Sequence, residues 1–252
     1  MKKIILLIIT LLLAVSLVAC SAETVDLSMT AEQYSNVKLK SEGVMTYAEY
    51  AAAEIDDEVV IEAYVQATQS WWDNKITVYA ADLDGAYFLY EMACSEADAA
   101  KLTPGTKIKV TGYKGAWAGE VEVMNATFEF VGENGDTYTA PTLNVTALAG
   151  KDSIIKYQNQ FVSFKGMTVA AYDESGAAIS YKGGERGDDI YFNATVNGVT
   201  VEFCIERYLT DPDSQVYKDV EALKVGDKID IECYLYWYDG ANPHVTGITT
   251  SK

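Results

Sequence analysis

Four tryptophans carry the side chains best suited to holding a ligand. Trp71 and Trp72 stand side by side ahead of Asp73 and Asn74, Trp117 stands alone, and Trp237 lies between Tyr236 and Tyr238 with Asp239 and Asn242 close behind. An aromatic face stacks on the face of a sugar or a base, while neighbouring amides and carboxylates take its polar edges. Adjacent residues of an extended chain point to opposite sides, so one of Trp71 and Trp72 is expected to fill a core. The ligand-binding candidates are therefore Trp71, Trp72, Trp117, Trp237 and Tyr238.

Catalytic chemistry has little to work with. His244 is the only histidine, and no CxxC occurs among Cys94, Cys204 and Cys233. Histidine-paired zinc sites and Ser-His or Cys-His nucleophiles are nearly excluded, so no catalytic residue, metal or cofactor is expected and the chain does not read as an enzyme. Cys204 and Cys233 could pair across a barrel or stay as buried thiols. Neighbouring carboxylates at Asp56-Asp57-Glu58, Asp188-Asp189, and Glu120 with Glu122 are too common in so acidic a chain to mark a glycosidase, and they read as solvated faces or turns. Asp82-x-Asp84-Gly85 lacks the later ligands of a calcium loop and reads as a hairpin turn. Arg186-Gly187-Asp188 reads as part of a glycine-rich turn ahead of the Ile190 strand.

The chain opens with Lys2 and Lys3, then an apolar run from Ile4 to Val18 that is shorter than the ~20 residues a membrane-spanning helix needs. Residues 1–19 read as an export signal. Leu17-Val18-Ala19-Cys20 resembles the lipobox of bacterial lipoprotein precursors, which implies a lipid on Cys20 and an anchor on the extracytoplasmic face of the cell membrane, periplasmic in a cell with two membranes. Loss of residues 1–19, with two lysines and no acids, takes the formal charge from −18 to −20. Such a balance argues against nucleic acid as a partner and against anionic lipid heads.

The elements that must position the aromatics come next. From Ser21 to Gly43 the chain reads as a tether. Thr46-x-x-Glu49 predicts a capped helix, and apolar alternation through Val59, Ile61, Ala63 and Val65 predicts a first strand. Strands over 76–80 and 86–92 flank Asp84-Gly85, a helix opens at Ser95 and ends near Leu102, and strands over 107–113 and 120–130 follow. The second half repeats this order. Strands lie over 161–169, 190–196 and 199–205, the last two joined by Asn197-Gly198; a helix from Thr210 to about Leu223 precedes two more strands.

Leu102, Gly105, Lys107, Ile108, Val110 and Tyr113 recur as Leu223, Gly226, Lys228, Ile229, Ile231 and Tyr234, a constant offset of 121. Five strands with a helix between the third and fourth is the order of the OB-fold, and L-x-x-G-x-K-I-x-[VI] resembles its entry to strand four. The expected fold is mostly β: two tandem five-stranded OB-like barrels over 44–131 and 141–252, with 132–140 as linker and 20–43 as the lipidated tether. Tandem modules of this kind resemble those of uncharacterised Gram-positive lipoproteins. In an OB-fold the one-two and four-five loops, where the tryptophans fall, flank the ligand face. That resemblance implies a binding module for an oligosaccharide or a peptide. The other reading is a structural protein presenting acidic barrels to an envelope partner.

Overall fold

The computed structural model describes residues 40–132 and 135–251, so the export signal, Cys20 and most of the tether lie outside the described residues. Strands β1 (Glu58–Thr68), β2 (Lys75–Ala81), β3 (Ala86–Ala93), β4 (Lys107–Trp117) and β5 (Glu120–Phe130) close into a ring in the order β1-β2-β3-β5-β4. β3 and β5 run parallel while the other neighbours are antiparallel. Val59, Ile61, Ala63, Val78, Leu89, Ile108, Val110 and Val123 point inward and are fully buried, as alternation requires.

One mouth of this barrel is closed by the helix Tyr47–Ala52, opened by a reciprocal capping box between Thr46 and Glu49. Its Tyr50 packs edge-on against Tyr87 with ring centroids 5.0 Å apart. Lys114 Nζ donates to the carbonyls of Tyr50, Ala51 and Ala53 at 3.0, 2.9 and 2.7 Å, placing a cation at the negative end of the helix. The short helix Glu96–Ala99, capped by Ser95, lies between β3 and β4.

The second barrel repeats the plan. β7 (Phe161–Ala170), β9 (Ile190–Val196), β10 (Val199–Ile205), β11 (Lys228–Tyr234) and β12 (His244–Ser251) form the same ring, β10 and β12 being the parallel pair. Two short additions, β6 (Leu143–Asn144) and β8 (Ile179–Tyr181), extend it. The repeat holds in detail: Gly105 and Gly226 have φ of +90° and +97°, and their N–H groups donate to Val65 O and Val169 O of the respective first strands. The fold class is thus two tandem OB-like barrels with a helix between strands three and four of each.

Several local expectations change. The helix before β11 spans Gln215–Glu221 and is capped by Ser214, because Thr210 is buried and its hydroxyl donates to Val245 O instead. The linker is docked: Tyr64 Oη donates to Asp136 at 2.5 Å, and Tyr138 packs on Tyr64. Lys40, at the end of the tether, pairs with Asp82 at 2.6 Å. Cys94, Cys204 and Cys233 are free and buried. The Arg-Gly-Asp turn is engaged within the fold, with Arg186 on Glu221 and Gly187 N–H on the Tyr217 hydroxyl.

Candidate aromatic groove between the barrels

The chain leaving β1 turns back at Asp73 and Asn74, both with positive φ (47° and 59°), while Trp72 and Lys75 exchange backbone hydrogen bonds at 3.0 and 2.9 Å. This is a two-residue turn with both central residues left-handed, a conformation Asp and Asn tolerate. Trp72 stands at its tip, 68% exposed. Trp71 points the other way, packs against the core of the first barrel and donates its indole N–H to Cys94 O at 2.9 Å.

On β3, Glu91 has φ +43° and its N–H donates to Thr77 Oγ1, marking a register shift against β2. Such a bulge re-aims its side chains. Tyr90 emerges 42% exposed, and Glu91 turns to pair with Lys75 at 2.7 Å. From the second barrel comes Tyr208, 51% exposed, whose carbonyl accepts Ser70 N–H at 2.7 Å. Trp72, Tyr90 and Tyr208, with Gln69, Ser70, Lys75, Ile76, Thr77 and Glu91, line one open groove of about 360 Å³. It lies on the seam between the barrels.

The two four-five turns meet beside this seam. Ala118 and Gly119 form the first, and Asp239 N–H from the second donates to Ala118 O at 2.7 Å. Trp237 packs so closely over Gly119 that a Cβ there would sit 2.7 Å from its Cδ1. Trp117 and Tyr238 stay 64% and 55% exposed but do not line the groove. Of the sequence candidates, then, Trp72 lines the groove, Trp71 supports its turn from the core side, Trp237 is an interface residue, and Trp117 and Tyr238 are exposed beside the seam.

Beneath the seam lies a buried polar layer. Tyr79 shares a 2.7 Å hydrogen bond with His244 Nδ1 and stacks on Tyr234, centroids 4.4 Å apart. Burial drives the His244 pKa down to about 3. Glu120 is fully buried, accepting Trp237 N–H at 2.8 Å and Gln158 Nε2 at 3.2 Å. Burial pushes its carboxyl up to about 8, against the hydrogen bonds that favour its anion, and pushes Glu206 up to about 7. Glu120, Glu122 and Asp189 are thus buried, where the sequence suggested solvated positions. The sequence reading missed Phe88 and Tyr90, although aromatics at alternate positions of β3 are a signal that could have found them; Tyr208 and Glu206 carry no local signal. Among the described residues no group of three or more His, Cys, Asp or Glu could hold a metal ion.

No protein family matches the sequence, and no curated protein does. The chain is similar in structure to one described as "Crystal structure of Ifi202 HINa domain in complex with 20bp dsDNA", at 14% identity and a TM-score of 0.33, covering 78% of this chain and 100% of that one. It is also similar to "Structure and Conformational Change of a Replication Protein A Heterotrimer Bound to ssDNA", at 10% identity and a TM-score of 0.32, covering 85% of this chain and 52% of that one. A third, "p202 HIN1 in complex with 12-mer dsDNA", has 14% identity and a TM-score of 0.33, with 79% and 96% covered. Likeness at this level carries no argument for what this chain binds. The expectation that nucleic acid is excluded as a partner is withdrawn: structures similar to this chain are described in complex with dsDNA, and nothing further about this chain follows from them. The physical reason is that net charge describes the whole molecule, whereas binding depends on the charge of one face.

Proposed function

We propose that this chain is a membrane-anchored extracytoplasmic binding module, not an enzyme, that holds an oligosaccharide or a peptide in the groove between its barrels. The observation that carries the reading is the convergence of three exposed rings, Trp72, Tyr90 and Tyr208, on one groove. Exposed aromatics cost solvation unless something covers them, and a concave site with a few polar groups is where small ligands bind. The other reading, an acidic scaffold for an envelope protein, finds less support: the added strands β6 and β8 are two and three residues long, short edges for pairing with another chain.

The anchor part of the proposal rests on Leu17-Val18-Ala19-Cys20. Acyl labelling followed by membrane fractionation tests it: Cys20→Ala should lose the label and leave the membrane, and a labelled, membrane-bound variant would overturn it. For the groove, the full chain in detergent is screened by tryptophan fluorescence against glycan and peptide libraries. A ligand whose signal vanishes in Trp72→Ala is expected, and hits that all ignore this substitution would place binding elsewhere.

A further inference from the structure

We propose that the groove is built for an uncharged oligosaccharide and is completed only by both barrels, Trp72 and Tyr90 from the first and Tyr208 from the second stacking on its sugar faces. This rests on the reading of the groove as a ligand site and narrows it to one ligand class and one assembly.

The class follows from what lines the groove. Sugar rings offer faces of C–H bonds that pack on aromatic rings, and edges of hydroxyls that need both donors and acceptors. The groove supplies both, in three exposed rings and in the side chains of Gln69 and Ser70. Its two ionic side chains, Lys75 and Glu91, are paired with each other at 2.7 Å, so no unbalanced charge in the groove awaits a charged ligand. A peptide would bind most readily by adding a strand to a free sheet edge. β2 and β3, which wall the groove, are paired on both sides over Val78–Ala81 and Phe88–Leu89, so only their short ends at the groove are left as edge for a peptide.

The assembly follows from how Tyr208 is held. Glu206 accepts the N–H groups of Tyr208 and Leu209 at 3.1 and 2.8 Å, fixing the loop of the second barrel. The Arg207 guanidinium lies 4.7 Å over the Tyr208 ring and donates to its hydroxyl at 2.8 Å. The Tyr208 carbonyl then takes Ser70 N–H across the seam. The ring is thus preset before any ligand arrives, which lowers the cost of ordering it on binding.

The full chain in detergent is titrated by calorimetry with hexasaccharides of β-1,4-glucose, α-1,4-glucose and β-1,4-N-acetylglucosamine, with a polyuronate hexamer, with mixed hexapeptides and with oligo(dT). Any binder is repeated on Trp72→Ala, Tyr90→Ala, Tyr208→Ala and Tyr208→Phe, each first checked for an unchanged thermal transition. At least one uncharged glycan should bind, about tenfold more weakly after each loss of a ring and with near-native affinity in Tyr208→Phe, which keeps the ring. A glycan sensitive to Trp72→Ala but indifferent to Tyr208→Ala would overturn the shared site and leave the ligand reading intact. Trp72-dependent binding of peptide, polyuronate or oligo(dT), with no uncharged glycan bound, would overturn the class alone. Absence of any Trp72-dependent binder would overturn both.

Discussion

The phenol of Tyr79, on the outer face of the first barrel, and Nδ1 of His244, at the start of the last strand of the second, lie 2.7 Å apart in a fully enclosed hydrogen bond. It joins residues 165 positions apart and lies in the same seam that forms the groove. Replacing Tyr79 with Phe keeps the stacking on Tyr234 but leaves a buried ring nitrogen without its partner. The expected loss is about 1–3 kcal/mol, measured by urea unfolding of the full chain. An unchanged midpoint would mean that the bond does not help hold the barrels together.

Glu120 gives the seam a pH dependence. Its folded pKa of about 8 stands above the ordinary value of 4.5, so the unfolded chain releases this proton before the folded one does. The stability it contributes is complete below about pH 4.5 and is lost as pH rises toward 8. Glu120→Gln keeps the shape and removes the titration. The variant should gain on the native protein across that window by an amount on the order of a few kcal/mol, read from unfolding at a series of pH values. Parallel stability curves for the two proteins would show that Glu120 is not protonated in the fold.

His244 works in the opposite direction at acid pH. Its folded pKa is lowered from 6.5 to about 3, so its contribution is present above 6.5 and is lost as pH falls toward 3. His244→Gln, which can still meet the Tyr79 hydroxyl, should flatten this acid limb. An acid limb of unchanged slope would assign it to carboxylates instead.

Gly105 and Gly226 separate backbone strain from contact. Both hold φ near +90°, so alanine costs about 1 kcal/mol of strain at either site. At Gly226 nothing lies within 4 Å of an added Cβ, whereas at Gly105 it would meet Thr137 Oγ1 of the docked linker at 2.2 Å. Gly105→Ala should therefore lower the thermal midpoint more than Gly226→Ala. Equal losses would mean that the linker yields and does not pack firmly on the first barrel.

The two barrels were legible because their signals are local. Alternation through Val59, Ile61, Ala63 and Val65 set the first strand, Asn197-Gly198 set a hairpin, and Leu102/Leu223 with Gly105/Gly226 exposed the repeat. Asp84-Gly85 marked a real turn for another reason than expected: Gly85 keeps negative φ and is required because a Cβ there would strike the ring of Tyr47 at 2.3 Å. The seam was not legible. Tyr208 meets Ser70 from 138 positions away and Glu120 meets Trp237 from 117, distances at which neither periodicity nor spacing speaks. Among the residues that line the groove, Trp72 was legible through its type and its loop; Tyr208 required the packing of one barrel on the other.

The central claim is that Trp72 lies at the point of ligand contact, and acrylamide quenching of tryptophan fluorescence in the full chain measures this directly. Trp72 and Trp117 are the two strongly exposed indoles. With Trp117→Phe in place, most of the quenchable signal should come from Trp72, and a saturating bound glycan should remove most of that quenching. Saturating ligand that leaves Trp72 as quenchable as in the free protein would contradict the account.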